Sequence, residues 1–86
     1  MLLSVVKLGH RNFVVSDRII AIVPPSSAPI RRFSKRAKKE GKLIDASNGN
    51  KTRSVVITDS NHVILSSIQT ETLICRKIET MEELPK

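Results

Sequence analysis

The chain has 86 residues, 40% of them apolar, and 15 Lys/Arg against 8 Asp/Glu for a net charge of +7. That length bounds one small domain with a limited core, and that apolar share excludes a disordered basic tail. Phe13 and Phe33 are the only aromatics, which argues against recognition by base stacking on exposed aromatic platforms.

In chain order, the first expected strand runs from Leu3 to Leu8 and ends at Gly9, a turn or bulge position. Phe13–Val15 forms a second short strand. Arg18–Val23 reads as a third, with the continuous apolar run typical of strands buried on both faces. Pro24 and Pro25 stop it, since neither can donate to a ladder. Ser26 or Ser27 supplies an N-cap for a helix over about 28–40, with Pro29 tolerated in its first turn and Gly41 placed to close it. Ile30, Phe33 and Ala37 fall on one stripe of that helix, while Arg31, Arg32, Lys35, Arg36, Lys38 and Lys39 lie off it. Leu43–Ala46 begins another strand. Asn48-Gly49 is a hairpin turn signal, because a type I′ turn needs positive φ at both central residues. The return strand is Arg53–Thr58, and Asp59-Ser60-Asn61 turns into a further strand, His62–Ser66. A shorter helix over about 70–78 carries Leu73, Ile74 and Ile78 on one side. Residues 79–86 are expected to be a charged, frayed tail beyond a single domain over 1–78.

The fold class that follows is α+β: a small mixed or antiparallel sheet with one basic and one short C-terminal helix. Several strands look apolar on both faces, yet only two short helices are available as cover. The remaining apolar surface implies a second copy of the chain, hence a homo-oligomer.

Charge is unevenly placed. Residues 1–53 hold 12 Lys/Arg against 3 Asp/Glu, and residues 54–86 hold 3 against 5. The first half is therefore a candidate surface for a polyanion. The helix start after Ser26-Ser27 offers unpaired N–H groups, the segment Asn48–Arg53 carries Lys51 and Arg53, and Arg18 opens the apolar strand. Arg18 is equally well read as the partner of Asp17 or Asp45. Catalysis has little support. His10 and His62 are far apart, no Cys or carboxylate cluster has metal-ligand spacing, and no phosphate-binding Gly-rich loop is present. No catalytic residue, cofactor, metal or small-molecule substrate is expected. Cys75 falls on the apolar side of the second helix and reads as core filler. One cysteine cannot close an internal disulfide, which fits a reducing cytoplasm. The N-terminal apolar run is too short for a signal peptide, and no run approaches the roughly 20 residues of a membrane span.

Ser27–Arg32, Leu43–Ala46, Thr52–Val56, Asp59–Ser66 and Gln69–Thr72 together resemble the RemA family of bacterial regulators of extracellular-matrix genes, in order and without gaps from about Val5 to Arg76. The resemblance implies a cytoplasmic, nucleoid-associated transcriptional regulator that assembles into ring-like homo-oligomers and engages double-stranded DNA through its backbone. It implies importance for Arg18, matching a family arginine, and for Pro29, matching a family proline at the helix start. The family's cationic tip reads here Gly49-Asn50-Lys51-Thr52-Arg53, with Asn50 in place of one cation. Members often have Gly where Arg11 stands and Pro where Thr70 stands. The expected phosphate contacts are Arg18, Lys51 and Arg53, supported by Arg31, Arg32 and Lys35. The alternative is a structural or protein-interaction oligomer whose basic surface binds RNA, acidic protein or an anionic membrane.

Overall fold

A computed structural model describes residues 4–83, with side chains as far as Ile78. The expected strand start at Leu3, and the last three residues of the expected tail, lie outside the described residues. The fold is α+β. Strands β1 (Val5–Gly9) and β2 (Asn12–Val15) form an antiparallel hairpin of their own. A 3-10 turn, Ser16–Arg18, leads into β3 (Ile19–Val23). Helix α1 (Ala28–Lys39) follows, then β4 (Leu43–Asp45), β5 (Ser54–Thr58) and β6 (Val63–Ser66), and finally α2 (Thr70–Glu83). The last helix thus continues beyond the expected end at 78. The larger sheet has the order β3-β5-β6-β4, antiparallel except for the parallel β4–β6 pair.

Local chemistry accounts for the helix ends. The Ser27 hydroxyl accepts from Ile30 N at 3.3 Å, and Pro29 sits in the first turn, where its missing N–H leaves no partner unsatisfied. Gly41, at φ +74, takes the left-handed position just past the helix. Its amide donates to Lys38 O at 3.2 Å, and that of Lys42 to Ala37 O at 2.8 Å.

Three layers result, with the large sheet in the middle. Alternation along β5 and β6 sends side chains both ways. Val55, Val63 and Ala37 form one buried cluster, with Ile30, Phe33, Leu43, Ile57 and Leu65 packed against it. This is the layer under α1, and it confirms the Ile30/Phe33/Ala37 stripe. Val56 and Ile64 point the other way, into a second cluster with Val6, Leu8, Val14, Ala46 and Leu73. The hairpin and α2 therefore cover the opposite face. Gly9 meets α2's approach closely: a Cβ there would lie 3.2 Å from Ile68 Cδ1.

Two expectations change. The continuous apolar runs do reflect two-sided burial in β5 and β6, but the β1–β2 hairpin supplies much of the cover that the two helices lack. β3 differs. It lies at the sheet edge, and Ile20 is 66% exposed. Asn48-Gly49 has the positive φ expected at both positions (57 and 83), but it makes no β4–β5 hairpin. β4 pairs with β6, in register Leu43↔Val63, so the chain must cross the end of β6 to reach β5. The tight turn is spent on that crossing.

Candidate nucleic-acid interface

The crossing segment, residues 46–53, is held at both feet. Ala46 N donates to Leu65 O at 2.8 Å and Arg53 N to Ser66 O at 2.8 Å, extending the ladders on either side of β6. Asp45 starts the turn by accepting from Ser47 through both its hydroxyl and its N–H. Those two hydrogen bonds, the hydroxyl first, hold the Asp45 carboxyl below its ordinary value of 3.8, against a small opposing desolvation. Asn50 closes the turn, its N–H reaching Ser47 O at 3.0 Å and its side-chain amide reaching the same oxygen at 3.1 Å. The amide also lies 3.0 Å from His10 Nε2, on the β1–β2 turn. Asn12, from the same hairpin, donates to Ala46 O at 3.4 Å. Lys51, Thr52 and Arg53 thus leave a braced turn, not a floppy tip.

These three residues form one wall of an open cleft of about 530 Å³. Pro24 and Pro25 form another, and Gln69, Thr70 and Glu71 at the start of α2 complete it. The α2 N-terminus offers amide donors whose partial positive charge faces this region. Glu71 opposes that charge. Lys51 and Arg53 are exposed and make no ion pair or side-chain hydrogen bond among the described residues.

α1 begins at Ala28, three residues after Pro25 on the cleft wall. Arg31, Arg32, Lys35, Arg36, Lys38 and Lys39 are all exposed, and none makes an ion pair or side-chain hydrogen bond among the described residues. Arg31–Lys35, Arg32–Arg36 and Lys35–Lys39 are like charges at i, i+4, each destabilising by roughly 0.2–0.5 kcal/mol in an isolated helix. The apolar stripe holds the helix down despite them.

Arg18 lies elsewhere. It precedes β3, whereas Arg53 precedes the antiparallel β5, and Val23 is opposite Val55. About 16 Å of strand separates the two ends of β3, from its five residues. The guanidinium pairs with Asp59 at 2.7 Å, not with Asp17 or Asp45. Both side chains are about half exposed, so the pair contributes at most about 1 kcal/mol and can be exchanged for another anion. Next to it, the Ser60 hydroxyl sits 2.7 Å from His62 Nδ1 and 2.9 Å from Thr58 Oγ1. All three lie at the β5–β6 turn, which their hydrogen bonds help to hold. Cys75 is exposed, because the buried side of α2 is centred on Leu73. Ile74 and Ile78, expected with Leu73, are also substantially exposed, and with Ile19–Ile22 and Lys77 they line an apolar groove of about 290 Å³.

Sequence reasoning missed His10, whose place beside Asn50 depends on a contact spanning 40 residues. Gly9-His10-Arg11 signals a turn but not where the turn lands. Among the described residues no group of three or more His, Cys, Asp or Glu side chains is placed to hold a metal ion. No described helix is long and apolar enough to cross a membrane.

A model of the family described as RemA-like, extracellular matrix regulatory protein A-like, matches residues 5–76. The chain belongs to the RemA-like family. A protein of Fervidobacterium nodosum is 55% identical over 96% of this chain and 89% of its own length. One from Thermotoga maritima is 52% identical over 96% and 90%, and one from Nitratidesulfovibrio vulgaris 58% identical over 81% and 80%. Each carries the name "Putative regulatory protein". RemA-like membership and these names support a regulatory role. The matched residues run from β1 through the first half of α2, hence include the braced turn, the cleft and the basic helix.

Proposed function

We propose that this RemA-like protein is a cytoplasmic, nucleoid-associated transcriptional regulator that self-associates, in a ring-like assembly, and binds duplex DNA through backbone phosphates. One observation carries the reading: eight cations, Lys51 and Arg53 with the six on α1, face solvent, and none makes an ion pair or side-chain hydrogen bond among the described residues. Holding like charges together destabilises a monomer and is offset when a polyanion releases its counterions on binding. Phe13 and Phe33 are the chain's only aromatics and α1 carries no Asn or Gln for base edges, so phosphate contacts set affinity and DNA shape sets preference.

Self-association is supported by the exposed edge of β3, where Ile20 lines the apolar groove together with Ile74 and Ile78. Repetition of the chain would present the Arg18 end and the Lys51–Arg53 end of successive copies to one duplex, and avidity would multiply modest single contacts. Light scattering of the protein with and without a duplex tests both parts. A mass of several protomers that rises stoichiometrically with duplex is expected. A monomer whose mass ignores duplex refutes the proposal, and preferential capture of single-stranded RNA or anionic vesicles would replace the partner.

A further inference from the structure

The chain exposes 6004 Å² of surface, whereas a compact monomer of its 9.6 kDa exposes about 5,100 Å². The excess, about 900 Å², is close to what each partner buries in an interface of standard size, about 800 Å². Two exposed apolar patches differ in shape. One is the groove of about 290 Å³ between β3 and α2, lined by Ile20, Ile74 and Ile78. Lys77, the only charged residue lining it, is turned onto Ser16, donating to its carbonyl at 3.0 Å. The strand beside it is a free sheet edge of uncharged sequence, Ile19-Ile20-Ala21-Ile22-Val23, protected only by the register shift between Ile19 and Ala21. The other patch is the outer face of the β1–β2 hairpin. Val6, Leu8 and Val14 point into the core, so alternation sets Val5, Lys7, Phe13 and Val15 outward, with Val5 opposite Val15 and Lys7 opposite Phe13. Phe13 is 57% exposed, whereas Phe33, the other aromatic, packs in the layer under α1.

We propose that the two patches meet between copies of the chain, the Phe13 face of one hairpin seating in the β3–α2 groove of the next. Phe13 then becomes a buried aromatic anchor among isoleucines, and Lys7 lays its stem along the contact with its ammonium at the rim. The contact is heterologous. α2 packs against both β1 and β3, so it stands between the two patches, and they face different neighbours. Every added copy keeps one groove and one Phe13 face free, so growth ends only when a ring closes. This rests on the self-association reading above and names the two surfaces and the polarity of the contact.

The masses of the full chain, of Phe13→Asp, of Ile20→Asp and of an equimolar mixture of the two variants are measured by sedimentation. The wild type should assemble beyond a dimer. Each variant alone should fall toward the monomer, its dissociation constant raised about 30-fold or more, as for loss of a hot-spot anchor. Both positions are exposed, so the melting of the separated chains should be almost unchanged. Phe13→Ser and Ile20→Ser, which add no charge, should shift the mass in the same direction. In the mixture, the intact Phe13 of one variant meets the intact groove of the other, so heterodimers should form and grow no further. A wild type that stops at a dimer, variants that keep the wild-type mass, or a mixture that stays monomeric overturns the inference and leaves self-association through other surfaces standing. A monomeric wild type overturns self-association itself.

Discussion

Replacing Lys51 and Arg53 by alanine should lower DNA affinity by an amount fixed by the number of phosphates released. Both side chains are exposed and make no ion pair or side-chain hydrogen bond among the described residues, so their loss should leave stability within about 0.5 kcal/mol of the wild type. Each phosphate contact adds about 0.9 to the negative slope of log K against log salt. Between about 50 and 200 mM salt, one contact therefore changes affinity by about 3.5-fold, and two by about 12-fold. The double variant should show a slope shallower by about 1.8 for each protomer engaged, with the largest affinity loss at low salt. Fluorescence anisotropy of a labelled duplex at four or more salt concentrations measures this directly. The braced turn should persist, because its feet are backbone bonds at Ala46 and Arg53. Parallel lines for wild type and variant would refute the assignment of these two side chains to phosphates, and loss of the folded state would show that the turn depends on them structurally.

Leu73→Ala removes a fully buried side chain from the cluster joining α2 to the hairpin and sheet, and should cost about 2–5 kcal/mol. Thermal unfolding should show it as a fall of about 4–8 °C per kcal/mol. Ile20→Asp, at a position 66% exposed, should leave the melting of the separated chain almost unchanged but shift sedimentation toward the monomer; an unchanged mass would place the interface elsewhere. Asp45→Asn tests the turn by pH. Since hydrogen bonds from Ser47 depress the folded-state carboxyl below 3.8, its stabilisation is present above that value and is lost as pH falls through the folded-state pKa. The wild type should therefore unfold later than the variant near neutrality, the gap closing only in acid.

Local signals in the sequence were the legible ones. Ser27, Pro29 and Gly41 bound α1 through short-range capping, and the spacing of Ile30, Phe33 and Ala37 identifies its buried side. The Asn48-Gly49 conformation was legible for the same reason, since positive φ is a property of those residues. What the turn joins was not. That depends on β4 choosing β6 over β5, a pairing of short strands that no local pattern encodes. The partner of Arg18 was missed likewise, because Asp59 reaches it across 41 residues. At the candidate interface, residue types pointed to phosphate, but only the three-dimensional structure separates Arg18 from Lys51 and Arg53 and brings His10 to Asn50. Cys75 and Ile78 show the limit of periodicity on α2, where just one narrow line centred on Leu73 meets the core.

The central claim, that this RemA-like chain holds duplex DNA by its phosphates, is tested most directly with the wild type and two unrelated duplexes of equal length. Log K against log salt should fall linearly and steeply for both, with nearly the same slope, because the contacts read charge before sequence. A flat line would contradict the account.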